Sequence, residues 1–442
     1  MTTLRIPLES DWTLGFDELR SLLIDTRART HELVADLSDD QLEVPLEVIV
    51  NPFRWELGHV AFFYDAFVLA AYHGMDLHIE NGNELFNSFL VDHDDRWQLP
   101  LGPRAEILDY MARVHADVLE RLGSGQATPV ETYLHFLGVL HEDMHCEAFT
   151  YMRQTLGYPQ PTLMATVPEE PAIEADCRED VEVPGGKWMM GAERSEPFVF
   201  DNEKWSHSVE LAPFRISRAA VTNAEFVEFV DSGGYSKEQH WDYQGWLWRS
   251  RCGLQHPQYW HRSGGGWMRK QFDQLVPLEE HHPVCNVSWF EALAYCNWAG
   301  RRLPTEAEWD VAATGVRDAD RIGETRRRYP WGDAAPTSTL ANLDGVRHAP
   351  VDVRAFAAGD SDFGCRQMLG NTWEWTSSPF YPFPGYIVDA PYAEYSAPWF
   401  GYRKVLRGGA WATRSRLARN GYRNFFPPDR NDTYAGFRTC AV

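Results

Sequence analysis

The sequence predicts an α+β multidomain protein, with an N-terminal four-helix bundle over residues 1–160, a linker over 161–180 and a C-terminal α+β domain over 181–442. Three observations predict it. Before Gly157, apolar residues recur at three- and four-residue steps, the period of helices that bury one stripe. Residues 160–180 hold Pro161, Pro168 and Pro171 among Glu and Asp, a linker composition. Beyond them come short apolar runs broken by Gly, Pro, Asn and most of the 18 Trp. The 442 residues carry 41 Lys+Arg against 64 Asp+Glu, a formal charge of −23. At roughly 100–200 residues per domain, two or three domains fit. So acidic a chain repels phosphate backbones, and no nucleic-acid partner is expected. No apolar run reaches the ~18 residues of a membrane span, so no membrane partner is expected either. The seven cysteines are scattered and lack a CxxC pair. Together with an N-terminus (MTTLRIPLESDW) that lacks a signal peptide's apolar stretch, they point to a reducing, cytoplasmic setting.

In chain order, Leu19, Leu22, Leu23, Thr26, Leu33, Val34 and Leu37 predict the first helix. A second is expected from about Trp55 to Tyr72 and a third from about Arg104 to Leu122. The fourth begins at Thr128-Pro129-Val130-Glu131, a capping Thr three residues before a Glu with Pro at the first helical position. It runs to Leu156, where Gly157 and Pro159 stop it. Four such helices suit an up-down bundle. In the second half, Ser288-Trp289-Phe290-Glu291 opens a helix that Gly300 closes, and Thr305-Glu306-Ala307-Glu308 opens another. Strand and turn signals dominate elsewhere, as in VEVPGGKWMMGA and KVLRGGAWAT. Loop-rich packing of this kind uses large aromatic fillers, which accounts for much of the Trp without any function.

One segment carries chemistry. His141 and His145 lie four residues apart inside the fourth helix, so both imidazoles share a face. His59, in WELGHVAFFYDAF, sits on an otherwise apolar helix, where an unpartnered imidazole is costly to bury. Three neutral imidazoles around one metal leave positions open for substrates. Many such His pairs bind nothing, and a lone core His is often merely hydrogen-bonded. His141, Glu142 and His145 also spell H-E-x-x-H, a zinc-protease signature. The bundle context, and the lack of a downstream motif that would complete such a protease, count against that function.

Further residues bring a family into view. The first half resembles a DinB-type helical bundle. The second resembles the formylglycine-generating-enzyme/sulfatase-modifying fold, a C-type-lectin-like relative. The residues behind that second likeness are Val221 to Phe226, Pro283 to Trp289, Arg301 to Trp309, Gly370-Asn371-Thr372-Trp373-Glu374-Trp375, Arg407-Gly408-Gly409 and Gly436-Phe437-Arg438. Joined, the halves resemble the ergothioneine- and ovothiol-pathway nonheme iron sulfoxide synthases. One departure is informative: Ala412 to Phe426 has no Cys, where formylglycine-generating enzymes carry a reactive cysteine pair. The resemblance therefore implies Fe(II) on His59, His141 and His145, and O2-dependent joining of a chalcogen to C-2 of a histidine-derived imidazole.

What the resemblance implies beyond the metal is a catalytic tyrosine and a hercynine site. Tyr381, in the loop Phe380 to Tyr386, is the expected proton- or hydrogen-donating hydroxyl. Hercynine is a quaternary ammonium that wants aromatic faces, for which Trp373, Phe426 and Tyr434 stand in the matching motifs. Asn371 or Arg423 is the expected donor to its carboxylate. The chalcogen donor is a thiol or a selenol. Leu85 to Leu90 (LFNSFL) lacks the Tyr-Tyr pair usual in ergothioneine enzymes, and WELGH, HEDMHCEAF and FVFDNEKWSH look closer to the branch containing selenoneine synthase. A selenosugar donor is therefore favoured over γ-glutamylcysteine or cysteine. Arg96 would suit a carboxylated donor, and Asp432 a sugar hydroxyl. Two other classes remain open: a DinB-like zinc thiol transferase, and a lectin-like module that only binds.

Overall fold

A computed structural model describes residues 11–173, 177–389 and 392–442. The chain forms two compact units. One comprises Met1–Met164 together with Arg194–Asp201 and Ile387–Ala397, and the other comprises Ala165–Glu193, Asn202–Tyr386 and Pro398–Val442. Two short segments of the C-terminal half thus belong to the bundle, which the expected boundaries at 160 and 181 did not foresee.

The N-terminal unit is built on α1 (Phe16–Glu32), α2 (Phe53–Phe63), α3 (Arg104–Arg121) and α4 (Pro129–Leu156). α1 packs along α4, and α2 along α3. The expected first helix ends at Glu32, and Leu33, Val34 and Leu37 are buried in the turn that follows. The expected second helix changes character at Tyr64, continuing as a π-helix over Tyr64–Ala70. α4 starts and stops as its sequence predicts. Thr128 Oγ1 accepts from the Glu131 amide at 3.2 Å, Glu131 Oε2 accepts from the Thr128 amide at 2.8 Å, and Gly157 closes the helix at φ 69°.

The α1–α4 contact is polar as well as apolar. Arg27 lies against Glu142, with Nε to Oε1 at 2.9 Å and Nη2 to Oε2 at 3.3 Å. Thr30 Oγ1 donates to Glu142 Oε1 at 2.7 Å, and Thr26 Oγ1 to Asp143 Oδ1 at 2.9 Å. Buried charges persist in a core only when paired and hydrogen-bonded in this way.

The C-terminal unit contains two four-stranded sheets. The first orders Asp180–Val183, Phe214–Ser217, Cys440–Ala441 and Arg301–Arg302, all antiparallel. The second orders Asn424–Phe426, Lys404–Arg407, Trp373–Pro379 and Ala435–Gly436, with the last pair parallel. Its helices include α5 (Asn223–Asp231), α6 (Tyr243–Cys252), α7 (Trp289–Ala299) and α8 (Glu306–Thr314). Both expected helices, α7 and α8, open on the capping boxes read from the sequence. Several tryptophans fill the loop-rich core with their N–H groups satisfied. Trp309 Nε1 donates to Glu374 at 2.7 Å, Trp375 Nε1 to the Val287 carbonyl at 2.9 Å, and Trp188 Nε1 to Asp310 at 2.8 Å. Among the described residues, no helix is long and apolar enough to cross a membrane.

Candidate metal centre

α2 and α4 bring His59, His141 and His145 together, one ring nitrogen of each lying within 4.8 Å of the others. The i, i+4 spacing puts His141 and His145 on one face of α4, with their Nε2 atoms 3.2 Å apart. His59 Nδ1 stands 2.7 Å from the Phe86 carbonyl, which can only accept, so that nitrogen carries the hydrogen and Nε2 keeps its lone pair. Trp55 stacks on the His59 ring at 4.8 Å and 8°, and Phe63 on the His141 ring at 4.0 Å and 15°.

Burial is the main cause that lowers the His59 imidazole to about 3, with His145 adding to it, while Glu56 opposes. Burial, then His145 and His59, hold His141 well below its ordinary value. Both rings are therefore neutral near pH 7, the form that ligates. The donor set fits a divalent transition metal: three imidazoles with no thiolate. The two Nε2 atoms, 3.2 Å apart, are close enough to share one hydrogen or one cation. His141 Nδ1 is buried and has no hydrogen-bond partner among the described residues.

Glu142, the Glu of H-E-x-x-H, does not serve this cluster. Both its oxygens are held by Arg27 and Thr30 on α1, so Glu142 is not the free general base that a zinc protease places beside its metal. The carboxylate at the centre is Glu56. It is 2% exposed, and its Oε2 lies 2.6 Å from His145 Nδ1. Although burial pushes Glu56 upward, His145, His59 and Asn51 together bring it down to about 2. It was legible in the sequence: Glu56 and His59 are three apart and share a helix face.

A tyrosine does reach His141: Tyr392, carried by the segment Ile387–Ala397. Its ring sits edge-on to His141 at 5.7 Å and to Phe63 at 5.2 Å. Burial first, then Glu394 and Asp201, raise its hydroxyl above the ordinary tyrosine value, so it stays protonated. Tyr395 follows at 5.3 Å from Tyr392, with its hydroxyl 3.8 Å from Met144 Sδ. The expected Tyr381 is instead 54% exposed and belongs to the C-terminal unit, where its carbonyl accepts from Arg423. The paired tyrosines of PYAEYS were the available signal for the better candidate.

The expected substrate contacts are corrected in the same way. Arg423 is buried in a two-point pair with Glu306 (2.7 and 2.9 Å), so its donors are taken. Asn371 is buried at φ 68°, with Oδ1 accepting from Asn342 and Val351 and Nδ2 donating to Val351 and Gln367. Asp432 is held by Arg430 at 2.6 and 2.7 Å. Trp373 and Tyr434 are core side chains, 1% and 3% exposed, and Phe426 lies under Arg430 at 5.0 Å. Arg96 is engaged by Asn51 at 2.7 Å and stacks on Trp55 at 3.9 Å. For Arg423, Asn371 and Asp432, partners that the sequence does not display had claimed the polar atoms.

Comparison with known proteins bears on both units. The DinB superfamily matches residues 22–147, and the sulfatase-modifying factor enzyme 1-like domain matches 165–441. A hercynine oxygenase of Mycolicibacterium thermoresistibile is 38% identical, the alignment covering 95% of this chain and 94% of that protein. The chain belongs to the hercynine oxygenase family. A second member, from Mycobacterium tuberculosis, is 37% identical over 96% of this chain and 98% of its own length. A formylglycine-generating enzyme of Streptomyces coelicolor is 32% identical over 64% of this chain and 95% of its own. The family resemblance read from the sequence is thereby established, and the chain is an oxygen-dependent enzyme.

Proposed function

We propose that this family member is a nonheme Fe(II), O2-dependent synthase that forms a carbon–chalcogen bond at C-2 of the hercynine imidazole. The observation that carries this function is the convergence of His59, His141 and His145, in a chain without the cysteine pair of the formylglycine-generating enzymes. Bound ferrous iron supplies one point where imidazole, deprotonated chalcogen donor and O2 meet, so a three-body encounter becomes intramolecular. The chain's own residues do the rest. Phe63, Phe67, Tyr392 and Tyr395 form a connected aromatic cluster that reaches His141, the kind of surroundings a trimethylammonium group wants. The Tyr392 ring packs edge-on against His141 and its hydroxyl stays protonated, which makes it a better candidate donor than the exposed Tyr381.

For the chalcogen donor, a selenosugar is favoured. A γ-glutamylcysteine donor has two carboxylates and would want free guanidinium groups, and Arg96 is engaged with Asn51, Ser88 and Val91. A neutral sugar needs no such group. The alternative is γ-glutamylcysteine or cysteine. Aerobic reactions with Fe(II) and hercynine, offering cysteine, γ-glutamylcysteine and a selenosugar in competition, test both levels by mass spectrometry. A seleno-product in excess supports the donor choice, and a sulfoxide overturns it. Turnover with zinc and without O2 would overturn the oxygenase function in favour of a DinB-like thiol transferase.

A further inference from the structure

Behind the histidines runs a chain of side chains whose hydrogen-bond polarity is fixed at its far end. Arg96 Nη1 donates to Asn51 Oδ1 at 2.7 Å. A guanidinium has no acceptor, so Asn51 must turn its oxygen to Arg96 and its amide to the other side. There Asn51 Nδ2 donates to Glu56 Oε1 at 2.5 Å. The second oxygen of Glu56 lies 2.6 Å from His145 Nδ1, and neither of these buried atoms has another partner among the described residues. An ionised carboxylate only accepts, so Nδ1 must carry a hydrogen. The opposite ring nitrogen, Nε2, is the one that meets His141.

We propose that Arg96, Asn51 and Glu56 are positioning residues that lock His145 with its hydrogen on Nδ1, keeping the Nε2 lone pair for the metal. The inference rests on the three-histidine site proposed above. It gives Arg96 a role other than gripping substrate, and it extends to a second ligand, since Arg96 also stacks on Trp55 and Trp55 on His59. A carboxylate behind a ligating imidazole fixes ring orientation and raises ligand basicity, and losing such a partner lowers metal affinity about 10–100-fold.

Polarity makes a sharper prediction than charge alone. In Glu56→Gln, the amide oxygen stays with Asn51 Nδ2 and the amide NH2 faces His145. Nδ1 must then accept, which moves the ring hydrogen onto Nε2, where a metal would sit. Glu56→Gln should therefore weaken Zn(II) and Fe(II) binding at least as much as Glu56→Ala, although it preserves volume. Arg96→Leu frees Asn51 to turn and should weaken binding by a smaller factor. The experiment is chelator-competition titration of each full-length variant, with thermal melts to show that it folds. In parallel, 15N NMR of the metal-free protein at alkaline pH reads which His145 nitrogen bears hydrogen. Nδ1–H in the wild type, shifting to Nε2–H in Glu56→Gln with at least tenfold weaker binding, supports the proposal. Wild-type affinity in Glu56→Gln, or Nε2–H in the wild type, overturns it. If the wild type binds no metal, the site assignment itself fails, while the NMR arm still decides the tautomer.

Discussion

Removing the Glu142 carboxylate separates a structural glutamate from a catalytic one. The Arg27 and Glu142 side chains are 6% and 1% exposed. Glu142→Gln leaves the Arg27 guanidinium in the α1–α4 interface without its counter-charge. Breaking a buried pair from one side costs about 3–5 kcal/mol. For a unit of this size, each kcal/mol moves the melting temperature by about 2–4 °C, so the bundle transition should fall by about 6–20 °C. Circular dichroism melts and urea titrations follow that transition. The double variant Arg27→Met/Glu142→Leu removes both charges together and should recover most of the loss. Surviving protein should keep its metal, because Glu142 faces α1 rather than the histidines. An unchanged melt with metal retained but turnover abolished would refute the reasoning and restore Glu142 as an active-site base.

Three further outcomes follow from the geometry. A Cβ at Gly58 would overlap the Phe86 ring, whose carbonyl holds His59, so Gly58→Ala should cost about 1–3 kcal/mol and loosen the metal; an unperturbed melt and titration would contradict this. Tyr392→Phe should slow coupling at least tenfold or divert it to plain oxidation of the donor, whereas Tyr381→Phe should leave the product ratio unchanged; product analysis distinguishes them. Burial raises the Glu291 carboxyl in the α7 capping box to about 6, against hydrogen bonds from Tyr235 and Ser288 that lower it. Because its folded value lies above the unfolded one, its contribution is present below about pH 4.5 and is lost as pH rises through about 6, by about 2 kcal/mol. Wild-type stability should therefore fall relative to Glu291→Gln across that window, and a pH-independent difference would refute the assignment.

Local signals survived into the structure and long-range ones did not. The α4, α7 and α8 starts were legible because a capping box is written within four residues. The His141–His145 pair was legible because helical spacing alone aligns it, and His59 because an imidazole on an apolar face needs a reason. Tyr392 was not: nothing local to PYAEYS says that the chain returns to the bundle there. Nor could spacing reveal that Arg423, Asp432 and Arg96 are each held by partners as specific as Glu306, Arg430 and Asn51. An arginine reads as available until its carboxylate is found. The π-helical turn at Tyr64–Ala70 was likewise hidden, because its apolar period differs little from that of an α-helix over seven residues.

The central claim is that three imidazoles hold one ferrous ion. Anaerobic Fe(II) titration of the full-length protein, set beside His59→Ala, His141→Ala and His145→Ala, tests it most directly. The structure predicts one saturable ion per chain in the wild type and its loss in each variant. A site that still saturates when His141 is gone, or a wild type that takes up no iron, would contradict it.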